Sequence, residues 1–166
     1  SSARKFTPEF ERNMNDDMIK ALAENGGLIM INFGSGFVTE KANKYDAVYF
    51  EAYASYAERN QLAESSPEMQ AFEKTYREKQ PYPFSNVADV ADHIDHVKAL
   101  VGIDHVGLGS DYDGVGDSLP IGLKDVSQYP NLVAELLRRD YSEKDIEKLL
   151  GDNILRVWRE VELIAR

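Results

Sequence analysis

The sequence predicts an α/β fold with a parallel sheet, because two short apolar runs each follow a helical pattern. The first run, LIMINF, spans residues 28–33 and has glycine on both sides. The second run, HVGLG, spans residues 105–109 and also ends at glycine. Continuous apolar runs of this length indicate strands buried on both faces, which is typical of parallel sheets covered by helices.

Two strands are too few for such a sheet, since ordinary sheets have about five or six. We expect the missing neighbours to come from a preceding part of the same protein. A partner chain and an unrecognised strand segment are the alternatives. The chain begins SSARKF without a methionine, so we also expect that residues were removed before Ser1.

The helices are predicted from caps and from apolar residues spaced by three and four. Asn15 is expected to cap a first helix, which the NGG sequence at residues 25–27 ends. Ser85 is expected to cap a later helix over residues 86–101.

Residues 39–84 differ from the rest of the chain, because they are mostly polar and charged and contain a series of tyrosines. The spacings of four, four and three put these rings on one side of a helix. We therefore favour a helical insert that buries its aromatic stripe, with a lid or a subunit contact as the alternative. The stripe consists of Tyr45, Tyr49, Tyr53 and Tyr56.

Helical signals also fill the C-terminal part of the chain. Pro130 is expected in the first turn of one helix. The sequence SEKD at residues 142–145 resembles a capping box for the next helix, which Gly151 is expected to end. A last helix carries an apolar set: Ile154, Leu155, Trp158, Val161 and Ile164.

The composition is typical of one globular domain, with 166 residues, 43% of them hydrophobic and 29% charged. The net charge of −10 repels phosphate groups, so we expect no nucleic-acid or membrane-surface partner. The absence of cysteine excludes disulfides, a thiolate nucleophile and zinc bound through cysteine.

Asp111 and Asp113 follow the second predicted strand, in the sequence HVGLGSDYDGVG at residues 105–116. Ligands of α/β folds gather beyond the carboxyl ends of strands, so Asp111 is a candidate proton acceptor or a ligand for a metal or an amine. The alternative is that both aspartates bond their own backbone amides in a turn. An EF-hand is excluded, because Gly122 stands where the bidentate glutamate is required.

His93 and His96 have the separation of two zinc ligands on one helix. The motif lacks the catalytic glutamate of zinc peptidases and has no evident third ligand nearby. We therefore favour helix histidines with structural partners, for which Asp92 and Asp95 are candidates. His105 lies at the amino end of the second strand, which is the wrong end for barrel chemistry.

Several ordered motifs resemble the membrane (renal) dipeptidase family, metallopeptidases with an amidohydrolase-like barrel. Its C-terminal end is similar to HVGLGSDYDGV and to GLKDVSQYPNLVAELLRRDYSEKDIEKLLGDNILRVWREVE, at residues 105–115 and 122–162. NGGLIMINFGSGFV, VADHIDHVK and SSARKF with the later ERN are similar to upstream blocks. The resemblance covers nearly the whole chain apart from residues 39–84.

The resemblance implies that this chain is the C-terminal half of a (β/α)8 barrel, a single-domain fragment over residues 1–166. Residues 28–33 and 105–109 would be strands seven and eight. Asp111 matches the aspartate that takes up a proton and contacts the substrate's free amino group. Arg12, after an apparent one-residue insertion, matches the arginine that binds the substrate's carboxylate. Phe37 falls where some members have a substrate-pocket tyrosine, so that hydroxyl is absent here.

The family hydrolyses dipeptides with two zinc ions bridged by a carboxylate and a hydroxide. Its ligands, an H-x-D pair, a glutamate and two further histidines, lie upstream of the matched segment. The resemblance therefore implies that this chain holds no metal ligands and is inactive alone, while the complete protein is a zinc-dependent dipeptidase. A dipeptide and the missing N-terminal half of the barrel are the implied partners.

Two other functions stay open. One is a noncatalytic, helix-rich domain that pairs through its strand edges or its tyrosine face. The other is a different metal-dependent amidohydrolase, such as an amidase or a lactonase, because a fold does not determine its substrate. The resemblance also leaves open a homodimer, and a periplasmic, secreted or membrane-associated location.

Overall fold

The computed structural model describes residues 1–165 as a helix-rich α/β fold around a two-stranded sheet. The strands are β1 (Ile29–Ile31) and β2 (Val106–Leu108). The helices are α1 (Asp16–Glu24), α2 (Ser35–Val38), α3 (Glu40–Asn60), α4 (Pro67–Lys79), α5 (Val87–Val101), α6 (Tyr129–Arg138), α7 (Glu143–Glu147) and α8 (Asn153–Ile164). Among residues 1–165, every helix is too short or too polar to cross a membrane.

The two strands pair in parallel, which confirms the predicted sheet type. Ile29 lies opposite Val106, and Ile31 lies opposite Leu108. The connection between them runs through α5, which contacts both strands. Ile29, Ile31 and Val106 are buried, but Met30 and Leu108 are only half-buried. The strands are therefore less completely covered than the sequence predicts.

The core lies between the sheet and three helices. Ile94 and Val97 of α5 are fully buried, as the spacing of three and four predicts. Leu132 and Leu136 supply the matching face of α6, and Ile19 supplies that of α1. These residues form one contiguous apolar cluster with β1 and β2, so the strand ends rest on a packed base.

The tyrosine stripe of α3 packs against α4, which confirms the predicted burial in part, since Tyr49 is buried and the other three tyrosines are half-buried. Tyr49 is only 7% exposed, and its ring centroid lies 5.2 Å from that of Tyr76. Tyr56 stacks on Phe72 with 4.5 Å between centroids. Phe50, which follows Tyr49, is exposed. The stripe therefore holds the two helices together.

The cap of α5 is Asn86 and not Ser85, so that prediction is wrong by one residue. Asn86 has an extended backbone, and its side chain accepts hydrogen bonds from the backbone amides of Ala88 and Asp89. Asp89 accepts from the Asn86 amide in return, which completes a capping box. The hydroxyl of Ser85 is instead buried against that of Ser35, 2.9 Å away.

Gly151 does not end a helix, so that prediction is also wrong. A π-helical turn, Lys148–Asp152, joins α7 to α8, and Asp152 and Asn153 keep helical backbone angles. Asn153 is 3% exposed and donates to the carbonyls of Ile103 and Val106, at 2.7 and 2.8 Å. These hydrogen bonds to the start of β2 stabilise the continuous path, although glycine disfavours a helix interior by about 1 kcal/mol.

Candidate functional site

Asp111 lies beyond the C-terminal end of β2, next to the residue that follows β1. Asn32 Nδ2 donates a hydrogen bond to Asp111 Oδ2 at 2.7 Å. Asn32 is only 6% exposed, and its Oδ1 accepts from the Gly34 amide at 2.7 Å. Because Oδ1 faces a backbone donor, the amide nitrogen is the group that faces the carboxylate.

Asp111 also begins a tight turn. Its φ of +66° is in the left-handed region, and its carbonyl accepts from the Gly114 amide at 3.1 Å. Aspartate tolerates this conformation better than most residues. The backbone therefore forms the turn that the alternative interpretation requires, but the carboxylate bonds across to Asn32. Asp113 is exposed.

The guanidinium group of Arg12 lies over the ring of Phe37. The guanidinium carbon lies 4.7 Å from the ring centroid, within the range of a cation–π interaction. Phe10 contacts the same ring edge-on, with 5.0 Å between centroids. Asn13 Nδ2 donates to the Phe37 carbonyl at 2.8 Å, which fixes the segment carrying Arg12 to α2. Within residues 1–165, no carboxylate forms an ion pair with Arg12.

Ser1 connects the segment of Arg12 to Asn32, the hydrogen-bond partner of Asp111. Its hydroxyl donates to the Arg12 carbonyl at 2.8 Å, and its own carbonyl accepts from the Asn32 amide at 3.3 Å. The structure thus brings Asp111, Arg12 and Phe37 to one end of the sheet.

Two histidines bind backbone carbonyls. His93 Nδ1 accepts from the Ala3 amide at 3.0 Å, so Nε2 carries the proton and donates to the Val38 carbonyl at 2.9 Å. Burial lowers the pKa of His93 to about 4. His105 Nδ1 donates to the Gly27 carbonyl at 2.8 Å. Both rings therefore hold segments of backbone together.

The candidate histidine partners are wrong. His96 Nε2 lies 2.7 Å from Asp16 Oδ1, on α1. Asp92 and Asp95 instead bind Arg139, at 2.7 and 2.5 Å. Asp92 and Asp95 are each adjacent to a histidine, and adjacent helix residues do not face each other. Asp92 has the favourable spacing of four from His96, but its carboxylate is bound by Arg139.

The described residues do not form a metal centre. Within residues 1–165 there is no group of three or more His, Cys, Asp or Glu side chains that could hold a metal ion. Both nitrogens of His93 are already engaged, and one oxygen of Asp111 accepts from the Asn32 amide. The donor set present here does not fit a zinc site.

Asn32 is the site residue that sequence analysis missed. Its place in the apolar run at residues 28–33 predicts only that it belongs to a strand. The available signal was its polarity, because an asparagine that ends a buried strand needs hydrogen-bond partners for both halves of its amide. Its specific partner could not be inferred, since Asp111 lies 79 residues further along the chain.

Sequence comparison identifies relatives of one kind. A family model described as membrane dipeptidase (Peptidase family M19) matches residues 1–166. A protein described as an uncharacterized dipeptidase from Schizosaccharomyces pombe is 33% identical over 99% of this chain and 30% of its own length. Dipeptidase 3 from Macaca fascicularis is 32% identical over 98% of this chain and 25% of its own length. The chain therefore spans less than a third of these curated relatives.

Solved structures agree with the sequence comparison. The probable dipeptidase PvdM from Pseudomonas aeruginosa has a TM-score of 0.67 and 27% identity, over 95% of this chain and 42% of that one. A metallo peptidase from Rhodobacter sphaeroides, liganded with a phosphinate mimic of the dipeptide L-Ala-D-Ala, has a TM-score of 0.63 and 25% identity, over 92% and 32%. Dipeptidase AC, a metallo peptidase of family M19, has a TM-score of 0.61.

Proposed function

The chain belongs to the membrane dipeptidase family, peptidase family M19, and we propose that the complete protein is a metal-dependent hydrolase of dipeptides. In this proposal the chain forms the C-terminal half of the barrel and binds the two charged ends of the substrate. The observation that carries it is the convergence of Arg12, Phe37 and Asp111 at the C-terminal end of the sheet, linked through the hydrogen bonds of Ser1 and Asn32.

Arg12 is proposed to bind the free carboxylate of the dipeptide. The guanidinium carbon lies over the Phe37 ring, and the planar fork of arginine suits a bidentate carboxylate contact. Arg12 is exposed and has no ion-pair partner within the described residues. A substrate carboxylate would therefore not have to displace a carboxylate of the protein. Phe37 acts here as a platform for the guanidinium group, because it has no hydroxyl of its own.

Asp111 is proposed to contact the free amino group of the substrate and to take up a proton during hydrolysis. One oxygen of its carboxylate is already bonded to Asn32, and the other accepts no hydrogen bond from residues 1–165. A negative group and a positive group near the same end of the sheet match a molecule with one free ammonium and one free carboxylate. This pairing favours dipeptides over longer or blocked peptides.

The proposed metal centre consists of two zinc ions, and its ligands lie outside this chain. The resemblance to the family and the metallo peptidase relatives support metal dependence, whereas the described residues do not fit a site. The proposed source of the ligands is the upstream half of the barrel, which would also extend the sheet beyond β1 and β2.

The test uses the complete protein. Free dipeptides are expected to be hydrolysed, while the same dipeptides with an acetylated amino end or an amidated carboxyl end react at least about 100-fold more slowly. Chelator is expected to abolish the activity and zinc to restore it. Asp111→Asn is expected to lower kcat/KM at least about 100-fold, with Asp113→Asn, an exposed neighbour, as the matched control.

Two other outcomes contradict the proposal. Turnover of simple amides or lactones, with dipeptides inert, indicates a different amidohydrolase. Absence of all hydrolysis by metal-loaded protein, together with stable binding of another protein through the α3–α4 surface, indicates a noncatalytic interaction domain.

A further inference from the structure

Asn32 uses both halves of its amide side chain. Oδ1 accepts from the Gly34 amide and Nδ2 donates to Asp111 Oδ2, each at 2.7 Å. The side chain is 94% removed from solvent, since Asn32 is 6% exposed. Rotation of the amide by 180° would put oxygen against a carboxylate and an N–H against an N–H. The buried position therefore permits one orientation only.

We propose that Asn32 is a positioning residue for Asp111, holding one carboxylate oxygen so that the other is presented to the substrate. This inference rests on the role proposed for Asp111. It assigns Asn32 no contact with the reacting atoms. Its effect is to supply a fixed hydrogen-bond donor from the end of β1 to a side chain at the end of β2.

The geometry around Asp111 shows why a fixed donor is needed. Its backbone is in the left-handed region, in a turn that also contains Gly114. A Cβ atom at Gly114 would collide with Asp111 Oδ1. Oδ1 therefore occupies space that is free only because residue 114 is glycine. Oδ2 is the end bonded to Asn32, and within residues 1–165 Oδ1 accepts no hydrogen bond. Without Asn32, nothing in the described part of the chain holds the carboxylate by hydrogen bonding.

Two substitutions in the complete protein separate positioning from support of the Gly34 turn. Asn32→Asp has the same shape and still accepts from the Gly34 amide, but it replaces the donor facing Asp111 with an acceptor. Asn32→Ala removes both contacts. If Asn32 only supports the turn, the Asp variant is active and the Ala variant is impaired. If Asn32 positions Asp111, the Asp variant is at least as impaired as the Ala variant.

We expect Asn32→Asp to lower kcat about 100-fold for free dipeptides, with a much smaller change in KM because Arg12 is untouched. The double variant Asn32→Asp/Asp111→Asn restores a hydrogen bond between the two positions with donor and acceptor exchanged. It is expected to recover the Tm of the protein without recovering kcat. An Asn32→Asp variant whose kcat stays within about threefold of the parent overturns the inference.

A second measurement does not depend on the folding of the Asn32 variants. In 1H–15N spectra of the complete protein, Asp111→Ala is expected to shift the Asn32 side-chain amide signals, and an unchanged signal overturns the inference. Full activity of Asp111→Asn would instead remove the proposed function of Asp111. An inactive Asp111→Asn with a fully active Asn32→Asp removes the positioning role alone, so the two failures are distinguishable.

Discussion

Arg12 lies over the ring of Phe37, with 4.7 Å between the guanidinium carbon and the ring centroid. The two residues come from segments 25 positions apart, and Asn13 fixes the first segment to the second by donating to the Phe37 carbonyl. The distance of 4.7 Å is within the range of a cation–π interaction, which holds the guanidinium group over the ring. This contact with the ring is the basis of the proposal that Arg12 binds the carboxylate of the substrate.

Substitution of Arg12 by lysine is expected to weaken substrate binding. Lysine keeps the positive charge but loses the planar fork and the stacking contact. We expect KM for free dipeptides to rise about tenfold or more in the complete protein, with kcat changed far less. Steady-state kinetics measures both, and Arg59→Lys on the exposed part of α3 is the control. An unchanged KM would contradict the role of Arg12.

Phe37 is expected to matter through its ring alone. Phe37→Leu removes the cation–π contact with Arg12, which is worth about 0.5–1 kcal/mol at an exposed site and corresponds to a two- to fivefold rise in KM. Phe37→Tyr keeps the ring and is expected to bind at least as well as the parent. The two KM values are compared by steady-state kinetics. Equal KM values for the two variants would exclude a platform role.

Local signals predicted the elements of the fold well, and long-range contacts were the part that failed. Asn15 caps α1 as expected, because a cap depends only on the next three residues. The prediction that Gly151 ends a helix was wrong. Hydrogen bonds from Asn153 to the carbonyls of Ile103 and Val106 outweigh the tendency of glycine to end a helix. The partner of Asn32 was likewise inaccessible. Spacing along the chain carries no information about which strand ends meet.

The exposed face of α8 illustrates the same limit. Its apolar spacing predicts a helix with one buried face, yet Trp158 is 63% exposed and Val161 is 59% exposed. Met30 and Leu108 on the sheet are likewise only half-buried, although the sequence predicts strands buried on both faces. The apolar pattern of a helix identifies which residues are suited to burial. It does not identify the residues that would cover them. The chain spans less than a third of its curated relatives, and the proposed upstream half is the expected cover.

His93 is expected to make stability depend on pH. Burial lowers its pKa to about 4, against an ordinary value near 6.5, and its Nδ1 is occupied by the Ala3 amide. The unfolded chain therefore binds the proton more readily, and the free energy of unfolding falls as pH drops from 6.5 to 4. The loss is on the order of 3 kcal/mol. Urea titrations across this range measure it.

The comparison that isolates His93 uses His93→Gln, which cannot titrate. This variant is expected to be less stable than the parent at pH 7, because it repacks the contacts to Ala3 and Val38. The difference between parent and variant is expected to shrink as pH falls from 6.5 toward 4. A difference that stays constant across this range would show that His93 is not the titrating group.

Arg139 binds carboxylates from two helices and is expected to be a main electrostatic link between α5 and α6. It is 16% exposed and contacts Asp92 at 2.7 Å, Asp95 at 2.5 Å and Glu135 at 2.7 Å. It also donates to the Ala88 carbonyl at 3.1 Å. Arg139→Lys cannot reach these acceptors together, so we expect a loss of about 2 kcal/mol in the free energy of unfolding at pH 7.

The acid dependence of this loss follows from Glu135. Hydrogen bonds from Arg138 and then from Arg139 lower the Glu135 pKa to about 2. A carboxyl group with a lowered pKa stabilises the fold above its ordinary value near 4.5, and that contribution disappears as pH falls toward 2. The loss of unfolding free energy in Arg139→Lys, measured by urea unfolding, is therefore expected to become smaller across this range.

Arg138→Lys is the matched control, because Arg138 is 68% exposed and contacts Glu135 but not α5. Its loss of unfolding free energy at pH 7 is expected to stay below about 1 kcal/mol. Equal deficits for the two variants would contradict a link through Arg139.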